Sequence, residues 1–241
     1  MPNSTAEDAD PGLLDDPVWH ALTGPHRRFA LTPDDALRAC RYRVDVAPFA
    51  ALRDLNDPQA WQDLAALCGP GGRAALEAHG PVSAPAGWVA AMVLPVAQMI
   101  APAAGLATDA VTEPVVPLSK RDAAEMMALA ELTRPGPFAA STVELGGYLG
   151  VRREGRLVAM AGRRLHLPGW IEISAVCTHP DHRGQGLSRL LMATVEAGIR
   201  AEGHRAFLHV LHDNTSAIEL YRRLGFTTRA DMTITVVRPE T

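Results

Sequence analysis

A chain of 241 residues can bury one large core or two modest ones, and with 47% apolar and 21% charged residues its composition is that of an ordinary globular protein. A net charge of -4 excludes a general affinity for nucleic acid or an anionic membrane surface, so any bound anion must be held locally. Cys40, Cys68 and Cys177 are odd in number and widely spaced, which predicts reduced thiols in a cytoplasmic setting rather than a disulfide framework.

Residues 1–16 are polar and acidic with no basic-then-apolar order, and they read as a disordered tail rather than a secretory signal. Residues 17–111 form an accessory region in which Trp19, His20, Phe29, Tyr42 and Phe49 follow no clean period. Asp57-Pro58 reads as an N-cap followed by proline in the first helical position; Trp61, Leu64 and Leu67 share one face, and Gly69 stops the helix. Strands are predicted at Ala74 to Ala78 and Gly87 to Leu94. Gly80 to Thr108 carries no charge, but Pro81, Pro85, Pro95, Pro102 and Gln98 make it a poor spanning helix, so no membrane role is expected.

Composition shifts again between Pro95 and Pro117, which places a boundary near residue 112 and a C-terminal domain over 112–241. There a short strand at Val115 to Leu118 leads to a helix carrying Met126, Met127, Leu129, Ala130 and Thr133, broken by Arg134-Pro135-Gly136-Pro137-Phe138. Tyr148 to Arg153 and Arg156 to His166 flank a Glu154-Gly155 turn as a hairpin, and Pro168-Gly169 turns the chain into Trp170 to Cys177. That strand runs into Arg183-Gly184-Gln185-Gly186-Leu187-Ser188, after which Leu187, Leu190, Leu191, Val195 and Ile199 mark one helical face.

Two glycines let this turn approach a ligand, while the first amides of the helix, its dipole and the Arg183 guanidinium suit a pyrophosphate. Taken alone, such a turn is also an ordinary strand-to-helix connection. No Lys-Ser/Thr follows, so it is not a Walker loop, and Arg189 breaks the dinucleotide fingerprint. Ala206 to Leu211 is the next strand, Ser216-x-x-Glu219 opens a helix with Ile218, Tyr221 and Leu224 on one face, and Gly225 ends it. A last antiparallel pair is predicted, Phe226 to Thr228 with Met232 to Val237.

THPDHRGQGLSRLL followed some thirty residues later by DNTSAIELYRRLGF resembles the GNAT superfamily of acyl-CoA-dependent N-acyltransferases, over roughly Val111 to Val237. The resemblance implies an α/β (α+β) fold with a mixed, mostly antiparallel splayed sheet flanked by helices; residues 17–111 are compatible with a degenerate half-domain of the same kind. It implies acetyl-CoA as co-substrate, its pantetheine arm on Val176, Cys177 and Thr178 and its pyrophosphate on Arg183, Gly184, Gln185, Gly186, Leu187 and Ser188. Ser188 stands where the family usually has Gly or Ala. Asn214 matches a cofactor-contacting asparagine and Tyr221 the tyrosine that protonates the departing sulfur.

Glu172 is the general-base candidate, on the assumption that it shares a strand face with Ser174 and Val176, the alternative being an exposed glutamate on the other face. A Cys177 acyl-enzyme and a zinc site on Cys177, His179 and His182 are both disfavoured, the second because no fourth ligand is placed, so no metal is expected. His209 and His212 read as solvated or hydrogen-bonded imidazoles. By the same resemblance the loop Thr133 to Phe138 is expected to form an acceptor wall, the alternative being an ordinary surface turn.

The expected activity is transfer of acetyl from acetyl-CoA to a primary amine of a small molecule or protein by direct attack, the protein being a monomer or homodimer. A non-catalytic acyl-CoA-binding module and an ATP-binding protein are the alternatives.

Overall fold

The computed structural model describes residues 9–33, 37–107 and 113–240. In chain order its elements are α1 (Pro17–Thr23), β1 (Ala30–Leu31), β2 (Ala39–Tyr42), β3 (Ala50–Leu52), α2 (Pro58–Cys68), β4 (Ala74–Ala78), β5 (Trp88–Ile100), β6 (Val115–Pro117) and α3 (Ala123–Thr133). These are followed by β7 (Leu149–Arg153), β8 (Arg156–Leu167), β9 (Trp170–Thr178), α4 (Leu187–Ala201), β10 (Arg205–Leu211), α5 (Thr215–Arg223) and β11 (Thr227–Pro239). No helix among the described residues is long and apolar enough to cross a membrane.

Local signals account for several of these. In α2, Pro58 sits where a missing N–H costs nothing, Asp57 accepts the Gln59 N–H at 2.9 Å, and Gly69 leaves the helix at φ 69°. In α4 the buried Leu187, Leu191, Met192, Val195 and Ile199 recur at helical spacing and seat the helix on the sheet.

The β1–β3 strands form a small sheet; the others form one eight-stranded sheet in the order β4-β11-β5-β10-β9-β8-β7-β6. Its pairs are antiparallel except β9 with β10. One face is covered by α4, with Ile171, Ile173 and Leu208 beneath it. The other carries α1 and the small sheet around Trp170, Tyr42 and Phe49, and α3 around Met126, Tyr148 and Met160.

Three expectations change here. The final antiparallel pair is instead one strand, β11, which lies along β5 from Thr227↔Ile100 to Pro239↔Trp88 and on its other side meets β4. The strand predicted to end at Leu94 continues to Ile100, because Val96 to Ile100 has both β11 and β10 to pair with despite Pro95. Strands from either side of residue 112 thus build one sheet, although 108–112 itself lies outside the described residues.

The tail is the third. Residues 1–8 lie outside the described residues, but Pro11–Asp15 is a 3-10 turn with Leu14 fully buried. Trp170 Nε1 donates to Asp10 O at 3.0 Å and Arg229 pairs with Asp15 at 2.6 Å. A single buried leucine has no periodicity to reveal it.

Gly162 on β8 is required by packing: a Cβ there would lie 2.3 Å from the Tyr148 ring. Gly162→Ala is expected to destabilise the fold by about 1–3 kcal/mol through overpacking, read as a lower urea midpoint at unchanged m-value.

Candidate active site

β10 pairs with β9 only over Arg205–Phe207 against Trp170–Glu172; beyond that β9 runs on to Thr178 and β10 to Leu211 with no pairing between them. Past the paired segment a cleft of about 640 Å³ is lined by the end of β9, the start of α4, and α5. On the β9 side the ladder to β8 slips between Met160↔Cys177 and Gly162↔Ser174, and Ala175 takes φ 53°, the extra residue of a β-bulge. The bulge inverts the alternation of side chains, so Val176 packs with Ile171 and Ile173 on the α4 face while Cys177 joins Tyr148 on the α3 face.

From the end of β9 a 3-10 turn, Pro180–His182, leads to Gly184 and Gly186, both at φ 76°, a conformation that favours glycine. Gly186 is the N-cap of α4 and no side chain caps that end. The leading amides of α4 are therefore left as donors at the cleft wall formed by Gly186, Leu187 and Ser188, at the positive end of the helix. Ser188 does not cap its own helix; its Oγ lies 2.9 Å from Thr178 Oγ1 and ties the turn to the end of β9.

The lining also includes Arg134, His182, Arg183, Arg189 and Arg223 and, among the described residues, no carboxylate. Uncapped amides and four guanidinium groups are a donor set for a pyrophosphate-bearing ligand.

Of the predicted residues, Val176, Cys177, Thr178, Arg183, Gly184, Gly186, Leu187, Ser188, Asn214 and Tyr221 come together around this cleft. Gln185 does not line it; its side chain turns to Arg153, which donates to it. Asn214 caps α5, accepting the Ala217 N–H at 3.2 Å, and so fixes the helix that carries Tyr221. Tyr221 is 9% exposed, and burial pushes its phenol up to about 12, so at neutral pH it holds its proton. Ser216, Ala217, Leu220 and Arg223 also line the cleft and were missed, although their spacing from Asn214 and Tyr221 on one short helix was a usable signal.

Cys177 is buried, and desolvation pushes its thiol up to about 11, which keeps it protonated.

Glu172 does not belong to the site. It lies before the bulge and points to the face away from α4, fully buried, and it does not line the cleft. Arg164 Nε donates to it at 2.7 Å and a second guanidinium nitrogen pairs with its other oxygen. His209 Nδ1 lies 2.8 Å from Glu172 and Nε2 2.6 Å from Glu77. Burial alone would raise the Glu172 carboxyl, but Arg164 and His209 hold it down at about 2. A carboxylate so placed has neither access to an amine nor the basicity to take its proton. The expectation of a base failed because the bulge separates its face from that of Val176.

The model of the FR47-like protein family matches residues 148–235. A solved structure of a putative acetyltransferase of the GNAT family from Novosphingobium aromaticivorans DSM 12444 is 39% identical, with a TM-score of 0.85 over 95% of this chain and 99% of that one. This chain belongs to the GNAT family. Two further relatives match a smaller share of the chain. The mycothiol acetyltransferase of Mycobacterium avium is 35% identical over 97 residues, 36% of this chain and 31% of that protein. The N-alpha-acetyltransferase RimI of Mycobacterium tuberculosis is 36% identical over 99 residues, 38% of this chain and 61% of that protein. The chain therefore spans about a third of the length of the first of these two relatives and under two thirds of the second.

Proposed function

We propose that the protein transfers the acetyl group of acetyl-CoA to a primary amine of a small molecule or protein, by direct attack in a ternary complex. The observation that carries this reading is the cleft at the end of β9, where an uncapped helix start, an arginine-lined wall and a protonated tyrosine converge. Acetyl-CoA, when bound, supplies the activated thioester. The α4 amides, Arg183 and Arg189 hold its diphosphate, and the free edge of Val176 to Thr178 pairs with its amide-bearing arm.

Tyr221 then faces the sulfur. As the amine nitrogen forms its bond to the acetyl carbon, the carbon–sulfur bond breaks and Tyr221 gives its proton to the departing thiolate. Among the described residues no carboxylate lines the cleft, so in this reading the amine gives its proton to solvent, and solvent returns one to the phenol. A protonated, buried Cys177 favours direct transfer over an acyl-cysteine.

The test is thiol release from acetyl-CoA with a panel of amines. Release that depends on an amine is the expected result. CoA binding without release on any amine would make the protein a non-catalytic acyl-CoA-binding module, and ATP outcompeting CoA would make it a nucleotide-binding protein.

A further inference from the structure

A second cavity, of about 720 Å³, lies beside the cleft against the outer face of α3, where Met127, Glu131 and Phe138 line it. Arg134 lines both cavities. It ends α3 in the left-handed conformation, φ 51° and ψ 55°, at a position where glycine is the usual residue and an L side chain strains the backbone. Its side chain is exposed and has no ion-pair partner among the described residues, and the same holds for Glu131.

The remaining arginines of the cleft belong to other elements: Arg183 to the glycine turn, Arg189 to α4 and Arg223 to the end of α5. Arg134 stands apart from them on the α3 wall with Thr133, which lines the cleft together with Cys177, next to the proposed path of the thioester arm.

We propose that Arg134 is a specificity-determining residue that binds a carboxylate of the acceptor, which makes the acceptor an amino acid or short peptide with a free carboxylate. This rests on the transferase reading above. A guanidinium takes a carboxylate through two parallel N–H donors and fixes its orientation as well as its charge. From that anchor an amine can reach into the cleft while the rest of the molecule lies in the second cavity, against Met127 and Phe138. A polyamine would instead bring cations toward Arg134, Arg183, Arg189 and Arg223.

The test compares leucine, leucinamide and spermidine as acceptors, in the wild type and in Arg134→Gln and Arg134→Gly. In parallel, calorimetry on the CoA-loaded protein compares N-acetyl-leucine with N-acetyl-leucinamide, a readout that needs no turnover. In the wild type leucine is preferred and N-acetyl-leucine binds the tighter of the two. In both variants the leucine-to-leucinamide ratio of kcat/KM, and the matching ratio of affinities, falls roughly 10- to 100-fold. A wild-type preference for leucinamide or spermidine, or ratios unchanged by the substitutions, overturns the proposal. If the wild type acetylates none of the amines, the transferase reading fails separately; the calorimetric ratio then decides the carboxylate site on its own, an unchanged ratio overturning it.

Discussion

Replacing Tyr221 by phenylalanine is expected to lower amine-dependent thiol release by roughly 10²- to 10⁴-fold, the span that a positioned general acid contributes. The ring lies in the apolar cluster under α4 with Leu191, Leu224 and Phe226, so phenylalanine keeps the packing and removes only the hydroxyl. Burial is the one cause that raises this phenol, and no charged group is paired with it, so its deletion leaves no buried ion exposed. Folding and CoA affinity should stay close to wild type, checked by thermal melting and calorimetry. The loss should sit in kcat, since the proton moves only as the carbon–sulfur bond breaks. Unchanged release by Tyr221→Phe would remove Tyr221 from the chemistry.

Glu172→Gln is expected to act in the opposite way, on stability. The neutral amide would leave the buried Arg164 and His209 with Glu77 as their remaining anion in the cluster. Breaking a buried pair in this manner costs about 3–5 kcal/mol, equivalent to a fall in Tm of roughly 6–20 °C for a chain of this size. Had Glu172 been the base, the variant would melt normally and lose turnover.

The pH dependence gives a second check. The Glu172 carboxyl, held at about 2 against an ordinary 4.5, contributes stability that is present above pH 4.5 and lost as pH falls toward 2. For His209, burial lowers the imidazole but Glu77 and Glu172 outweigh it and push it up to about 9. Its contribution is complete below pH 6.5 and is lost as pH rises through 9. The variant should therefore lose the Glu172 part of the acid limb and have a smaller alkaline limb, since one of the two carboxylates that raise His209 is gone. Both follow from Tm measured across pH.

Much of the candidate site was legible because it is local. The glycine turn, the apolar face of α4 and the Asn214 cap of α5 each lie within one strand-turn-helix or turn-helix unit, so residue spacing alone brings their members together. Gln185 shows the limit: its place in the turn was evident, but whether it meets the cleft depends on Arg153 from the β7 strand. Glu172 shows a second limit, since a strict alternation would have put it on the face of Val176, and one extra residue, Ala175, reversed that.

From sequence alone came the order of the elements from Val115 to Arg223, the glycine turn, and the sequel of that turn in a tyrosine-bearing helix, because each is written in contacts between near neighbours along the chain. The tertiary structure decided which strand closes the sheet, which face Glu172 takes, and that Arg134 is shared by two cavities. Each of these is a matter of side chains and strand edges brought together from distant parts of the chain: β5 alongside β11, Arg164 and His209 around Glu172, α3 against β9. No local period encodes such meetings; they exist only once the sheet has assembled and apolar burial has fixed which surfaces face each other.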